Sequence, residues 1–339
     1  MALIRQLSGT ERAKLQHMLN DAQGNISDLE AYLTQQRFAD GRVCPICGGA
    51  HVLRNGRRKS GAQKYICKDC GKNFSISKNT VFSGTRKGLS VWMEYLNCMA
   101  EGLSLDKSAE RCGITHSTAF AWRHKILDAI SKDAQGDSLA GIVEADETFL
   151  PVSYKGAPRA ESKERPSRKR GGEIHLRGLS DEFVCIPCAI DRRGNALSKV
   201  AKLGKCSTEA VEVVLGGRIA REATLCTDGE TAYRRFSRAH GNTLVQIKGG
   251  RGTVKGIYHI QHLNAYHAAL KDFLRRFKGV STKYLNNYLT WNNTAMHKGS
   301  SLTERVSALL ERIMAVLFEE TCRMLPNRPP LPILVKNQS

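Results

Sequence analysis

The spacing of apolar residues divides the chain into segments of different period. Leu15, Leu19, Ile26, Leu29 and Leu33 stand out in a polar stretch, which predicts a helical arm over 1–40 broken at Gly24-Asn25. Between Val43 and Phe74 the helical period disappears and glycine and cysteine dominate. Helix signals return from Leu89 to Ile130. Beyond them, Ile142 to Leu150 reads as a strand, and 154–179 is a basic loop rich in Arg, Lys, Gly and Pro. Phe183–Ile190 and Ala196–Lys202 predict a hairpin turning at 191–195. A helix over Ser207–Leu215 stops at Gly216-Gly217, and Ala223–Asp228 and Thr243–Ile247 read as strands. Leu263–Phe277 is strongly amphipathic, and a last helix, Leu302–Met324, precedes a Pro-rich tail. The divisions this suggests are 1–40 (helical arm), 41–85, 86–135, 136–280 (a mixed α/β domain with the basic insertion) and 281–339 (helical region and tail).

Composition narrows the class. The 339 residues exceed what one core usually needs, and 41% hydrophobic content excludes a disordered chain. Lys and Arg number 52 against 32 Asp and Glu, a net +20, which points to a polyanionic partner, nucleic acid. With neither a secretory leader nor a membrane-length apolar run, a cytoplasmic, nucleoid-associated protein is expected. In that reducing compartment the 11 cysteines should bind metal or pack.

Cys44-x2-Cys47 and Cys67-x2-Cys70 are separated by 19 residues, and glycines follow each pair. Four thiolates at that spacing predict a closed, structural zinc ribbon. Arg54, Arg57, Arg58, Lys59, Lys64 and Lys68 surround it and suit phosphates. Cys185-x2-Cys188 falls in a strand, where residues three apart face opposite ways, so it is read as core. Leu105–Cys112, Gly113 and Thr115–Ile130 predict a helix-turn-helix for DNA, with Thr115 or Ser117 as cap and Arg123, His124 and Lys125 on or near the exposed side.

The strand over 141–150 should be almost wholly apolar if central, yet Glu144, Asp146 and Glu147 interrupt it. Buried carboxylates need a metal, a cation or solvent. Asp228 ends another apolar strand, where ligands of open sheets gather. On alternation, Glu147 is expected to turn away from Asp146 toward a basic residue, and Glu144 to share the Asp146 face as a reserve ligand. Asn264, His267 and Lys271, three and four apart, form one helical stripe. His267 suits proton transfer or a phosphate contact, and Lys271 a phosphate.

The words Ala145-Asp146-Glu147-Thr148-Phe149, Cys226-Thr227-Asp228-Gly229 and His262-Leu263-Asn264-Ala265-Tyr266-His267 resemble bacterial insertion-sequence transposases of the D…D…E/N superfamily, in a branch with an N-terminal zinc ribbon. Asn264 lies 35 residues beyond Asp228, a spacing similar to that superfamily's, and 279–285 resembles the branch's continuation. The resemblance spans roughly 40–290. It implies a ribonuclease H-like mixed sheet with flanking helices behind the zinc ribbon and helix-turn-helix. It also implies Mg2+ or Mn2+ held by Asp146, Asp228 and Asn264, and metal-dependent cleavage and strand transfer of double-stranded DNA. The partners implied are terminal inverted repeats, target DNA and further copies of the chain. Asn264 departs from the wider superfamily's Glu and offers a neutral carbonyl oxygen instead. Two other readings share parts of this pattern: a hydrolytic nuclease of the same fold, and a zinc-ribbon DNA-binding regulator.

Overall fold

The computed structural model describes residues 26–58, 62–133, 138–156, 178–247, 256–295, 301–316, 318 and 322–335. Residues 1–25 of the predicted arm, with its Gly24-Asn25 break, Lys59 and most of the basic loop lie outside these residues. Two compact units form: 1–134 with 298–325, and 135–297 with 326–339.

The first unit begins with α1 (Ile26–Arg37) and a three-stranded antiparallel sheet, β1 (Val52–Arg57), β2 (Gln63–Cys67) and β3 (Asn73–Ser75). Its small core holds Cys44, Val52, Tyr65, Cys67 and Phe74, with Phe38 edge-on to Tyr65 at 5.2 Å. So little apolar surface cannot hold a sheet alone, which is why small domains of this kind need a metal. Three helices follow: α2 (Leu89–Ala100), α3 (Leu105–Arg111) and α4 (His116–Asp133). Ser104 caps α3 by accepting from Lys107 N. Gly113 turns the chain at φ 58°, and Thr115 Oγ1 accepts from Thr118 N at 3.2 Å, making it the cap among the two predicted. Trp92 and Trp122 stack at 3.6 Å in the interior.

The second unit contains β4 (Ile142–Pro151), β5 (Phe183–Asp191), β6 (Ala196–Ser198), β7 (Lys202–Leu203), α5 (Thr208–Leu215), β8 (Thr224–Thr227), α6 (Thr231–His240), β9 (Thr243–Gln246), α7 (Gln261–Arg275) and α8 (Leu285–Ala295). Its sheet runs β6-β5-β4-β8-β9, with β7 also on β5. β4 pairs antiparallel with β5 and parallel with β8, and β8 pairs parallel with β9. This is the mixed sheet with flanking helices expected of a ribonuclease H-like transposase fold. One face packs Val143, Ala145, Cys185 and Ala189 on residues of α5 and α6; the other packs Val184, Ile186 and Cys188 on α7 and α8. Cys185 and Cys188 thus enter opposite cores, as their spacing requires.

The chain then returns to the first unit as α9 (Leu302–Met314), which ends ten residues before the predicted Met324. Arg312 on α9 meets Asp133 at 3.0 Å, and Arg305 donates to Ala100 O. With α4 enclosed in this way, Arg123 and His124 are fully buried, contrary to their expected exposure; Arg123 Nη2 donates to Leu103 O at 2.8 Å. Lys125 is half-buried, with Nζ donating to Ser83 O. The exposed positions of α4 are instead His116, Ser117 and Lys132.

Candidate active site

In the ribbon, Cys44 Sγ and Cys70 Sγ are 3.9 Å apart, and Cys47 Sγ and Cys67 Sγ 3.6 Å. Tetrahedral zinc with bonds of about 2.3 Å needs sulfurs about 3.8 Å apart, so the donor set fits the ion. Ile46 N donates to Cys44 Sγ and Gly49 N to Cys47 Sγ, each at 3.4 Å, stabilising thiolates. Gly48 and Gly71 adopt φ 77° and 68°, a left-handed bend that an L side chain resists. Arg54, Arg57, Arg58 and Lys68 are exposed, while Lys64 is half-buried.

In the second unit, β4 and β8 bring two sequence-distant carboxylates level. Their parallel register pairs Ile142 with Thr224 and Glu144 with Cys226, so two positions further on Asp146 stands beside Asp228. Gly229, at φ 114°, turns the chain away directly after Asp228. Asp146 Oδ1 accepts from Glu147 N at 2.9 Å, and Asp228 Oδ1 from Glu230 N at 3.1 Å. Burial, then the neighbouring Asp228 charge, push the Asp146 carboxyl up to about 6. Two such oxygen donors fit a hard divalent cation, whose charge would relieve that repulsion.

Glu147 turns to the other face, as alternation predicts, but meets no basic partner among the described residues. It lies beside the buried Tyr233 hydroxyl, and its Oε2 meets no hydrogen-bond partner among the described residues. Burial and the charges of Asp146, Asp228 and Glu230 push it up to about 7.

Glu144 shares the Asp146 face, yet its carboxylate is already engaged and only 1% exposed. Its Oε2 accepts from Leu263 N at 3.0 Å, while Oε1 meets His262 Nδ1 at 2.7 Å and Arg192 Nη1 at 2.5 Å. Glu144, His259 and His262 have ligand atoms within 4.8 Å of one another. The Arg192 guanidinium already supplies the cation there, so a hydrogen-bonded cluster is the better description than a metal site. Sequence reasoning did not single out Arg192 or His259; the available signal was His259-x2-His262 just before a helix.

Asn264 is exposed in the first turn of α7, one residue past the Leu263 amide that Glu144 holds. His267 is half-buried, its Nε2 without a hydrogen-bond partner among the described residues; burial and the Lys271 charge lower it to about 4, so it is neutral at pH 7. Lys271 is exposed. No hydrogen bond among the described residues joins the side chains of Asn264, His267 or Lys271 to Asp146 or Asp228. No helix among these residues is long and apolar enough to cross a membrane.

Comparison with known proteins gives independent matches to the two parts. Residues 27–73 match the family described as a transposase zinc-ribbon domain, and residues 138–291 the ISXO2-like transposase domain. A protein described as uncharacterized, in the transposable element ISH50 of Halobacterium salinarum, is 27% identical over 262 residues, covering 76% of this chain and 86% of that protein. A chain from the crystal structure of a pre-cleavage Mos1 transpososome is 9% identical over 93% of this chain and 94% of that one, but its TM-score of 0.22 is too low to carry an argument. The ribbon and the Asp146–Asp228 sheet are thus matched separately, and the chain carries a transposase zinc-ribbon domain ahead of an ISXO2-like transposase domain.

Proposed function

We propose that this transposase binds the terminal inverted repeats of its element and carries out metal-dependent cleavage and strand transfer at Asp146, Asp228 and Asn264. The observation that carries the reading is the level pair Asp146 and Asp228; burial, and then the neighbouring Asp228 charge, raise Asp146 to about 6. A protein tolerates such repulsion where a cation is to be bound. When bound, Mg2+ or Mn2+ supplies Lewis-acid stabilisation of the attacking and leaving oxygens.

Asp146 and Asp228 provide the charged oxygens, and Asn264 a neutral carbonyl from the first turn of α7. Together the two carboxylates would offer two negative charges to a divalent ion. Cleavage breaks the phosphodiester P–O3′ bond with water as nucleophile, leaving a 3′-hydroxyl. In strand transfer that hydroxyl attacks a target phosphorus in line and displaces a second 3′ oxygen, so bonds formed and broken balance without a covalent protein intermediate. His267, being neutral, suits accepting a proton or a hydrogen bond rather than donating as imidazolium. Lys271 suits a DNA phosphate.

The exposed Arg54, Arg57 and Arg58 of the ribbon, with His116, Ser117 and Lys132 exposed on α4, support recognition of the element's ends on nucleoid DNA in the cytoplasm. Bridging two ends calls for more than one copy of the chain. The test is incubation of the zinc-loaded chain with duplexes carrying candidate terminal repeats, with and without Mg2+. Metal-dependent nicked and joined products are expected. Products that are only hydrolysed would favour a nuclease instead, and cleavage that needs no divalent ion would contradict the proposal.

A further inference from the structure

We infer that Glu144 and Lys155 are positioning residues, a two-ended clamp that fixes α7 along β4 and thereby sets Asn264 relative to Asp146. The inference rests on the reading of Asp146, Asp228 and Asn264 as metal ligands.

The first amides and last carbonyls of any helix lack partners within it. At the start of α7 the cap residue is Ile260, whose apolar side chain can accept no hydrogen bond. Glu144 fills the role from β4, accepting from Leu263 N. Its charge is balanced by Arg192, whose Nη2 donates to Ile257 O at 2.9 Å, so the segment leading into the helix is tied to the same carboxylate. Beyond the far end, where Arg276 caps the helix, Lys155 Nζ holds the segment leading out of it, reaching Phe277 O at 3.2 Å, Lys278 O at 3.2 Å and Gly279 O at 2.9 Å. Glu144 belongs to β4 and Lys155 follows it by four residues. The polarity is favourable at both ends, an anion at the helix N-terminus and a cation at the C-terminus.

Leu263, Tyr266 and Leu270 pack α7 against the sheet, and the Tyr266 hydroxyl meets Ser198 Oγ at 2.7 Å; these contacts hold the body of the helix, whereas Glu144 and Lys155 hold its two ends. Asn264 follows the clamped Leu263 amide directly, and Asp146 follows Glu144 by two residues. A slip along the helix axis would therefore separate ligands that a metal needs within about 2 Å of itself.

The test uses the full, zinc-loaded chain with two readouts: hydrogen exchange across the first turn of α7, and Mn2+ binding followed by electron paramagnetic resonance. Glu144→Gln should speed Leu263 amide exchange at least about tenfold and weaken Mn2+ binding about tenfold, the effect typical of residues that orient ligands. Lys155→Gln, at an exposed position and so a safe second variant for folding, should weaken Mn2+ binding in the same direction by a smaller factor. In an Asn264→Ala background both losses should shrink below about twofold, because the clamp acts through Asn264. Unchanged Mn2+ affinity in both variants overturns the clamp, as does an undiminished loss in the Asn264→Ala background. Mn2+ binding that survives Asp146→Ala would instead overturn the reading of the site itself.

Discussion

If Asp146 is held among like charges for the sake of a cation, removing its charge should make the metal-free protein more stable. Its carboxyl stands at about 6, against a usual 3.8, through burial and then Asp228. At about 1.4 kcal/mol per pH unit, ionised Asp146 costs the folded state up to about 3 kcal/mol at pH 7.5. Asp146→Asn removes the charge at nearly constant shape, so a gain of about 1–3 kcal/mol is expected in buffer free of divalent ions. For a unit of this size each kcal/mol moves the thermal midpoint by about 2–4 °C. The sign fixes the pH dependence. An acid whose pKa is raised by folding binds more protons folded than unfolded, so the wild type loses stability as pH rises from about 4 to 6 and approaches the variant in acid. About half the difference should remain at pH 5. Adding Mg2+ should raise the wild-type midpoint and leave Asp146→Asn behind. A variant no more stable than wild type at pH 7.5, or a difference equal at pH 7.5 and pH 5, would refute the argument.

Other outcomes follow from the same geometry. His267 is lowered to about 4, so its neutral form supports folding above its ordinary pKa and that support is lost as pH falls from 6.5 toward 4; His267→Gln should spare up to about 2 kcal/mol of the loss between pH 7.5 and 5, and equal losses in both proteins would contradict this. Elemental analysis should find about one zinc per chain. Cys44→Ser and Cys67→Ser should each lose the zinc and unfold the ribbon, and a ribbon that stays folded without metal would argue against a structural ion. Affinity for duplex DNA should fall steeply with salt, and replacing Arg54, Arg57 and Lys68 together by alanine should reduce the slope by about 3, since each phosphate contact releases counterions. A slope the substitutions leave unchanged would remove the ribbon from the DNA contacts.

Much of this was legible in the sequence because burial and charge conflict visibly there. Asp146 interrupts an apolar strand and Asp228 closes another, and the register of β4 and β8 brings them level. The ribbon was legible because zinc demands two pairs of thiolates with knuckle glycines. Local pattern failed where distant chain decided burial. Arg123 and His124 look exposed in α4 read alone, but α9, some 180 residues later, packs in the same unit as α4 and helps enclose it. Glu144 shows the same limit. Its parity with Asp146 suggests a ligand, whereas the carboxylate is taken by Leu263 N, Arg192 and His262 from remote loops. Glu147 was expected to meet a base and, among the described residues, lies beside Tyr233, a neighbour that strand alternation cannot identify.

The central claim is that Asp146 and Asp228 hold the metal for DNA cleavage and joining. The most direct measurement compares wild type, Asp146→Ala and Asp228→Ala in Mg2+-dependent joining of pre-cleaved element ends to target DNA, with end binding measured in parallel. Both variants should bind ends with near wild-type affinity and lose joining by at least about a thousandfold, the scale on which a catalytic metal stabilises the transition state. An Asp146→Ala or Asp228→Ala chain that still joins ends in Mg2+ would contradict the account.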